Sequence, residues 1–495
     1  MRAAGIAAAR ALALACLLAL PSAHGLAGDA PGPDAATDPA VLVAVDAWAA
    51  QQAHLAHALW SRPELGYLET QSSALLQQAL AQAGFKVQAG VAGIPTAFVA
   101  TAGHRGKGPV IALLAEMDAL PGMAQEAVPE PRPIAGQQAG QACGHNLFGA
   151  ATVGAARAIA AWLRQSGTDG EIRVYGTPAE EGGSGKVYMA RAGLFDDVDL
   201  VLHWHPSDAN SAAQQRSLAN ISGKFRFRGR AAHAAIAPDR GRSALDGVEA
   251  LDYMANMMRE HVPDGTRIHY VITDGGQAPN VVPDRAEAYY YVRNADPAVV
   301  RDVFDRLGKA AEGAALGTGT TVEFEQTGGV FSLLPNDTLG RVVDAALHQV
   351  GGVRYDATDL AFATTLQQSL EQRPPLEQAM QIQPYAADGQ GWASTDVGDV
   401  SWNVPTAGFG VATWVPGTPA HSWQAVAASG MAIGEQGALN AARVLALAAT
   451  ALYRSPQTVA AARQEFERRR GPQFRYTPLL QRQSPPLDYR LKAGD

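Results

Sequence analysis

Three apolar runs in this chain end in residues that bind metals. PVIALLAEMDALP carries Glu116 and Asp118 past its apolar part, EIRVYGTPAEEGG carries Glu180 and Glu181, and DVDLVLHWHP carries His203 and His205. Near-continuous apolar runs of this length read as strands buried on both faces, the habit of parallel sheets covered by helices. In an open parallel sheet, ligands bind beyond the carboxyl ends of the strands. The three ends therefore predict one shared, metal-competent crevice in an α/β domain. Helical spacing in VLVAVDAWAAQQAHLAHALW, SALLQQALAQAG and LFGAATVGAARAIAAWLRQ supplies the covering layers.

The pattern changes near Ala219. ISGKFRFRG alternates with period two, RSALDGVEALDYMANMMRE is helical, RIHYVIT and EAYYYVR are strands, AVVRDVFDRLGKAAEGA is helical and TTVEFEQ is a strand. That order, β-α-β-β-α-β, predicts a ferredoxin-like domain. The α/β pattern resumes after Phe331, with a helix at about Asp337–Val350, a long polar stretch and an alanine-rich closing run at 431–453. The expected organisation is a catalytic domain in two parts, 41–218 and 331–454, around an inserted domain at 219–330. A basic, proline-containing tail over 455–495 is expected to be peripheral.

At the N-terminus, Arg2 and Arg10 precede an apolar core at 11–20 that is too short to span a bilayer, and small residues follow at Ala23, Gly25 and Ala27. An export signal over 1–27 and a linker over 28–40 are expected, with an uncleaved anchor as the alternative. No stable membrane insertion of the mature chain is expected, and the net charge of −8 argues against nucleic acid as a partner. Removal of the signal takes Cys16 with it, so Cys143 has no partner for an intramolecular disulfide. An exposed thiol in an oxidising compartment is a liability, which leaves Cys143 buried or bound to metal.

Cys143 and His145 lie two apart before a helix, where a thiolate and an imidazole suit zinc and no hard cation. In the pair Glu180–Glu181 one carboxylate can hold a metal while the other contacts its water. Isolated, the pair reads equally well as surface acids. Asp118 is placed to orient a metal ligand. His203 and His205 share a strand face, and either could be a ligand. His421, in GTPAHSW, adds an imidazole from a Gly/Pro-shaped loop. His54 and His57 on an amphipathic helix, and His261 and His269 in the inserted domain, read as structural. Asp396 and Asp399 could line the site, although capping or loop hydrogen bonding accounts for them more simply.

EMDALPG, ACGHN, PAEEGG, the histidine six residues after Asp199, GRAAHA, GGQAPNVVPD, VRNAD and GTPAHS occur in that order. The series resembles the dinuclear aminoacylase/carboxypeptidase family of metallopeptidases over roughly 41–453, within it the branch of the p-aminobenzoyl-glutamate hydrolase subunits and auxin-conjugate amidohydrolases. The resemblance implies a zinc-peptidase-like catalytic domain with an inserted lid that dimerises, and two divalent ions per subunit, Zn2+ or alternatively Mn2+. It implies metal ligands at Cys143, His145, Glu181, His205 and His421, Glu180 as general base, and His233 reaching the substrate carbonyl of the partner's site. Asn280 and Arg293 match the family's substrate-carboxylate contacts. Many relatives have a metal-binding histidine two before the acid matching Asp118. This chain has Glu116 there, a departure shared with the cysteine-containing branch. The expected function is hydrolysis of N-acyl or N-aroyl amino acids by an exported homodimer. A dipeptidase or carboxypeptidase of the same family and a non-catalytic binding protein are the alternatives.

Overall fold

The computed structural model describes residues 38–491, so the expected export signal lies outside the described residues. The central sheet has six strands in the order Lys86–Ala89, Phe98–His104, Gly170–Gly176, Val110–Ala115, Leu200–Leu202 and Thr406–Ala407. The last four run parallel, and every residue of Val110–Ala115 is buried, which is why that stretch shows no alternation. Because these strands point one way, Glu116–Asp118, Glu180–Glu181 and His203–His205 leave the sheet along the same edge.

The helices His145–Ser166 and Ala432–Tyr453 pack against one another, with the Val110–Ala115 strand against the first of them. The expected helix through 41–60 is instead two, Pro39–Asp46 and Ala49–Trp60. Trp48 breaks it, placing its ring 4.6 Å from the Arg157 guanidinium. The polar stretch after 350 contains a further helix, Ala357–Gln367, with a capping box from Asp356 and Asp359. Its buried side is only Asp359, Phe362, Ala363 and Leu366, too little apolar spacing to read from sequence.

The inserted segment forms its own four-stranded antiparallel sheet, ordered Arg267–Asp274, Arg285–Asn294, Ala219–Arg228, Thr321–Val330. The helices Ala244–Met258 and Pro297–Thr318 cover one face and enclose a separate apolar core. This is the ferredoxin-like lid read from the alternation.

The tail departs from expectation. After a helix at Pro456–Arg470 the chain runs extended along the body, burying Leu479 in the lid core and Leu480 in the main core. A basic, proline-containing composition hides the two leucines that anchor it.

Candidate metal centre

Cys143, Gly144 and His145 make the turn into the His145–Ser166 helix. Gly144 adopts φ 70°, and a Cβ there would come within 2.8 Å of Pro206, so only glycine permits both the turn and the approach of the 203–206 segment. The Cys143 sulfur ends 3.5 Å from His205 Nε2. Three donor sets each gather within 4.8 Å: Cys143, His145 and His205; Cys143, Glu181 and His421; and Glu116, His145 and Glu180. Cys143 belongs to the first two, which makes its sulfur the natural bridge between two ions. Burial pushes its thiol pKa well up, so a cation must displace a proton to bind there.

The hydrogen bonds decide which ring nitrogen each histidine offers. His145 Nδ1 lies 3.0 Å from both the carbonyl oxygen and Oδ1 of Asp118. His205 Nδ1 lies 2.6 Å from the Pro206 carbonyl oxygen. A carbonyl oxygen can only accept, so both Nδ1 atoms carry the proton and both Nε2 lone pairs are free for a metal. Asp118 also accepts from the Glu181 amide, 2.8 Å away, and so orients two of the candidate ligands at once.

His145 Nε2 lies 3.1 Å from Glu116 Oε2, and His421 Nε2 lies 3.2 Å from Glu181 Oε1. Glu116 Oε2, His145 Nε2 and Glu181 Oε1 are nevertheless buried with no hydrogen-bond partner among the described residues. These atoms are close without being aimed at one another. Buried lone pairs that converge on a common space fit a cation, and the thiolate–imidazole–carboxylate set fits a borderline-soft divalent one.

Behind the donors lies a charged group that sequence reading missed. Lys186 Nζ is fully buried, 2.7 Å from Glu116 Oε1 and 2.7 Å from Asp396 Oδ1. Burial opposes charge on Glu116, but Lys186 and His145 outweigh it and hold that carboxyl well below its ordinary range. Glu116, where many relatives carry a histidine, is thereby a fixed anion facing His145 Nε2, while Asp118 holds the Nδ1 side. Asp396 is neither a cap nor a loop residue here but the second anion of a buried triad. The one sequence signal for Lys186 was a lysine in the small, apolar setting GGSGKVYM, directly after the acidic pair. Asp399 does serve the loop, accepting from Phe331 N and from the Tyr476 hydroxyl.

Burial, with Glu116 and Glu181 alongside, raises the Glu180 carboxyl well above its ordinary range. His203 is not among the donor sets. Burial pushes its pKa down to about 4 and keeps it neutral.

The lid residues lie elsewhere. His233 is exposed, and its Nδ1 accepts from the amides of Ala235 and Ile236 at 3.2 Å, which leaves Nε2–H pointing outward as a donor. Asn280 is its neighbour, with its carbonyl 3.0 Å from the Ala234 amide. Arg293 is far from both: it pairs with Asn220 near the start of the lid's first strand, while Asn280 lies beyond Arg285 at the opposite end. Eight strand steps separate those ends by roughly 27 Å. The expected clamp of Asn280 with Arg293 is therefore not formed within one chain, because the antiparallel register sends them to opposite ends of the sheet. Arg293 Nε is buried without a hydrogen-bond partner, and its guanidinium lies 5.3 Å from the Tyr291 ring.

The Peptidase dimerisation domain family matches residues 219–318. A p-aminobenzoyl-glutamate hydrolase polypeptide of Escherichia coli (strain K12) is 39% identical over 469 residues, covering 89% of this chain and 97% of that protein. The Xaa-Arg dipeptidase of Mus musculus is 32% identical over 309 residues, 60% of this chain and 67% of that one. Among solved structures, a dinuclear metal binding peptidase of the M20 family from Bacillus subtilis superimposes with a TM-score of 0.56 at 19% identity, covering 82% of this chain and 98% of that one.

Proposed function

Because the chain belongs to the M20 peptidase family, we propose that it is an exported homodimer that hydrolyses N-acyl or N-aroyl amino acids, p-aminobenzoyl-glutamate-like compounds among them. It is a metal-dependent hydrolase of amide bonds. The observation that carries the reading is the convergence of Cys143, His145, Glu181, His205 and His421 with Glu180 beside them.

Two divalent ions held by those five residues, Zn2+ or alternatively Mn2+, would polarise the scissile carbonyl and acidify a water. Glu180 takes the proton of the attacking water on its carboxylate and delivers it to the leaving nitrogen. Its raised pKa is the direction that suits a group which must hold that proton between the two steps. Asp118 keeps His145 and Glu181 in register for this work. His233 of the partner lid donates Nε2–H to the carbonyl oxygen as negative charge develops there.

The lid offers a surface for such a dimer. Its edge strand Arg267–Asp274 exposes Val271 and Ile272, and the adjoining helix exposes Tyr253 and Met257. An open strand edge with apolar side chains can pair across a two-fold axis. A dimer also answers the separation of Asn280 from Arg293, since the partner's lid tip can bring its Asn280 and His233 to this chain's Arg293.

The dipeptidase reading draws on the Xaa-Arg dipeptidase likeness, and an N-acyl amino acid and dipeptide panel separates the two. A non-catalytic binding protein would have no need of Glu180 beside a full donor set. Elemental analysis of the purified protein is expected to find Zn2+ or Mn2+, with hydrolysis lost on exhaustive chelation. Absence of transition metal together with activity that survives chelation overturns the assignment. Export is checked by N-terminal sequencing of the secreted protein, expected to begin near residue 28.

Arg293 is proposed to fork onto the free carboxylate of the amine-side product. A charge-assisted hydrogen bond contributes about 1.5–3 kcal/mol, so Arg293→Ala is expected to raise KM on the order of 10–100-fold with a smaller change in kcat. Esterified or amidated substrates are expected to be as poor for the wild-type enzyme as free acids are for the variant. Equal cleavage of ester and acid refutes the clamp.

A further inference from the structure

The Pro178–Ser184 loop, which carries Glu180 and Glu181, is held in an unusual backbone conformation. Ala179 and Ser184 both adopt positive φ, 57° and 58°, and Gly182 stands at 96°. Non-glycine residues persist there only when their surroundings over-determine the backbone. Those surroundings are visible around the loop. The Ala179 amide donates to Glu69 Oε1 at 2.8 Å, and the Gly183 carbonyl accepts from the Tyr67 hydroxyl at 2.6 Å. The Glu181 amide donates to Asp118. The Glu181 carbonyl alone is served from far along the chain: it accepts from the Tyr489 hydroxyl at 3.2 Å and from the Arg490 guanidinium.

We propose that the C-terminal segment is a positioning strap for the metal-ligand loop, with Tyr489 and Arg490 holding the Glu181 carbonyl and, through it, the direction of the Glu181 carboxylate. Asp118 secures the peptide before Glu181 and the strap secures the peptide after it. With both peptide planes fixed, the Cα–Cβ bond of Glu181 has one direction. The strap arrives rigid. The Tyr476 hydroxyl donates to Asp399 at 2.6 Å, Leu479 and Leu480 are buried, and Gln326 bonds Leu479 O at 2.9 Å and Gln481 N at 2.7 Å. At its end, the Tyr489 ring meets the Tyr67 ring edge-on at 5.6 Å, and the Arg490 guanidinium lies over the Tyr489 ring at 4.8 Å. Two side chains that pack on each other present one joint donor surface to one carbonyl oxygen.

The proposal rests on Glu181 being a metal ligand. Partners that orient a ligand typically contribute 10–100-fold to metal affinity. The double variant Tyr489→Phe/Arg490→Ala, made in the full chain, is therefore expected to raise the Zn2+ dissociation constant by about 10–100-fold in chelator competition. Its Co2+-loaded form is expected to show a shifted absorption spectrum, because Cys143 and Glu181 share an ion. At saturating metal, kcat should fall while KM stays, and Arg490→Lys should recover part of the affinity, since an ammonium can still donate to the carbonyl. Wild-type affinity together with an unshifted Co2+ spectrum in the double variant overturns the strap. If that variant does not fold, Tyr489→Phe alone, which removes one oxygen atom, is read in the same way. Glu181→Gln is the control. If it too keeps its metal, the ligand assignment has failed; if it loses metal while the double variant does not, only the strap has.

Discussion

Glu180→Gln is expected to lower kcat by about 10²–10⁴-fold while the protein keeps its metal. The amide preserves the shape of the carboxylate but cannot accept a proton from water, so the loss falls on turnover rather than on assembly. Glu180 stands with Glu116 and His145 in a buried group, yet Glu116 is already committed to Lys186, which leaves Glu180 as the carboxylate free to act on a substrate. The paired variant Glu181→Gln should behave in the opposite sense and lose metal, because that residue belongs with Cys143 and His421. Metal content and kcat measured side by side on both variants separate the roles. A Glu180→Gln enzyme with near wild-type kcat places the base elsewhere.

His233→Ala should lower kcat by about 10²–10³-fold, again without metal loss, if its Nε2–H meets the developing oxyanion. In its own chain His233 is bonded only within the lid, near the tip of a ten-residue strand that enters from the catalytic domain at Ala219. That strand is roughly 33 Å long, so a contribution to catalysis is expected to come from the partner subunit. The test mixes two inactive variants, Glu180→Ala and His233→Ala, after the subunits are dissociated and reassociated. Each heterodimer then contains one site with an intact Glu180 facing an intact partner His233, and one site with neither. Random reassociation of a two-fold dimer should restore roughly a quarter of wild-type sites. If His233 serves its own subunit, no mixture contains a complete site and activity stays at the level of the separate variants.

Much of the candidate site was legible from one regularity. Parallel strands release their C-terminal residues along a single edge, so Glu116, Asp118, Glu180, Glu181 and His205 could be brought together without knowing the strand order. The lid was legible for a similar reason, since alternation of period two in Ala219–Arg228 and Arg285–Asn294 reports one face on a core and the other away from it. Local periodicity says nothing about partners distant in sequence, and that is where tertiary structure decided. Alternation put His203 and His205 on one face, but the strand ends at Leu202 and a second strand, His205–Ser207, pairs with Gly410–Ala412 and turns His205 alone towards Cys143. Asn280 and Arg293 lie thirteen residues apart, and only the antiparallel register revealed that they face opposite ends of the lid. Lys186 read as an ordinary lysine until Glu116 and Asp396, from two other parts of the chain, closed around it. The tail read as peripheral because its anchors, Leu479, Leu480 and Tyr489, gain meaning from the surfaces they meet. Strand ends and face patterns are properties of short segments and were determined by the sequence alone. Ion partners, peptide-plane contacts and strand register are properties of pairs, and only the folded chain brings those pairs within reach.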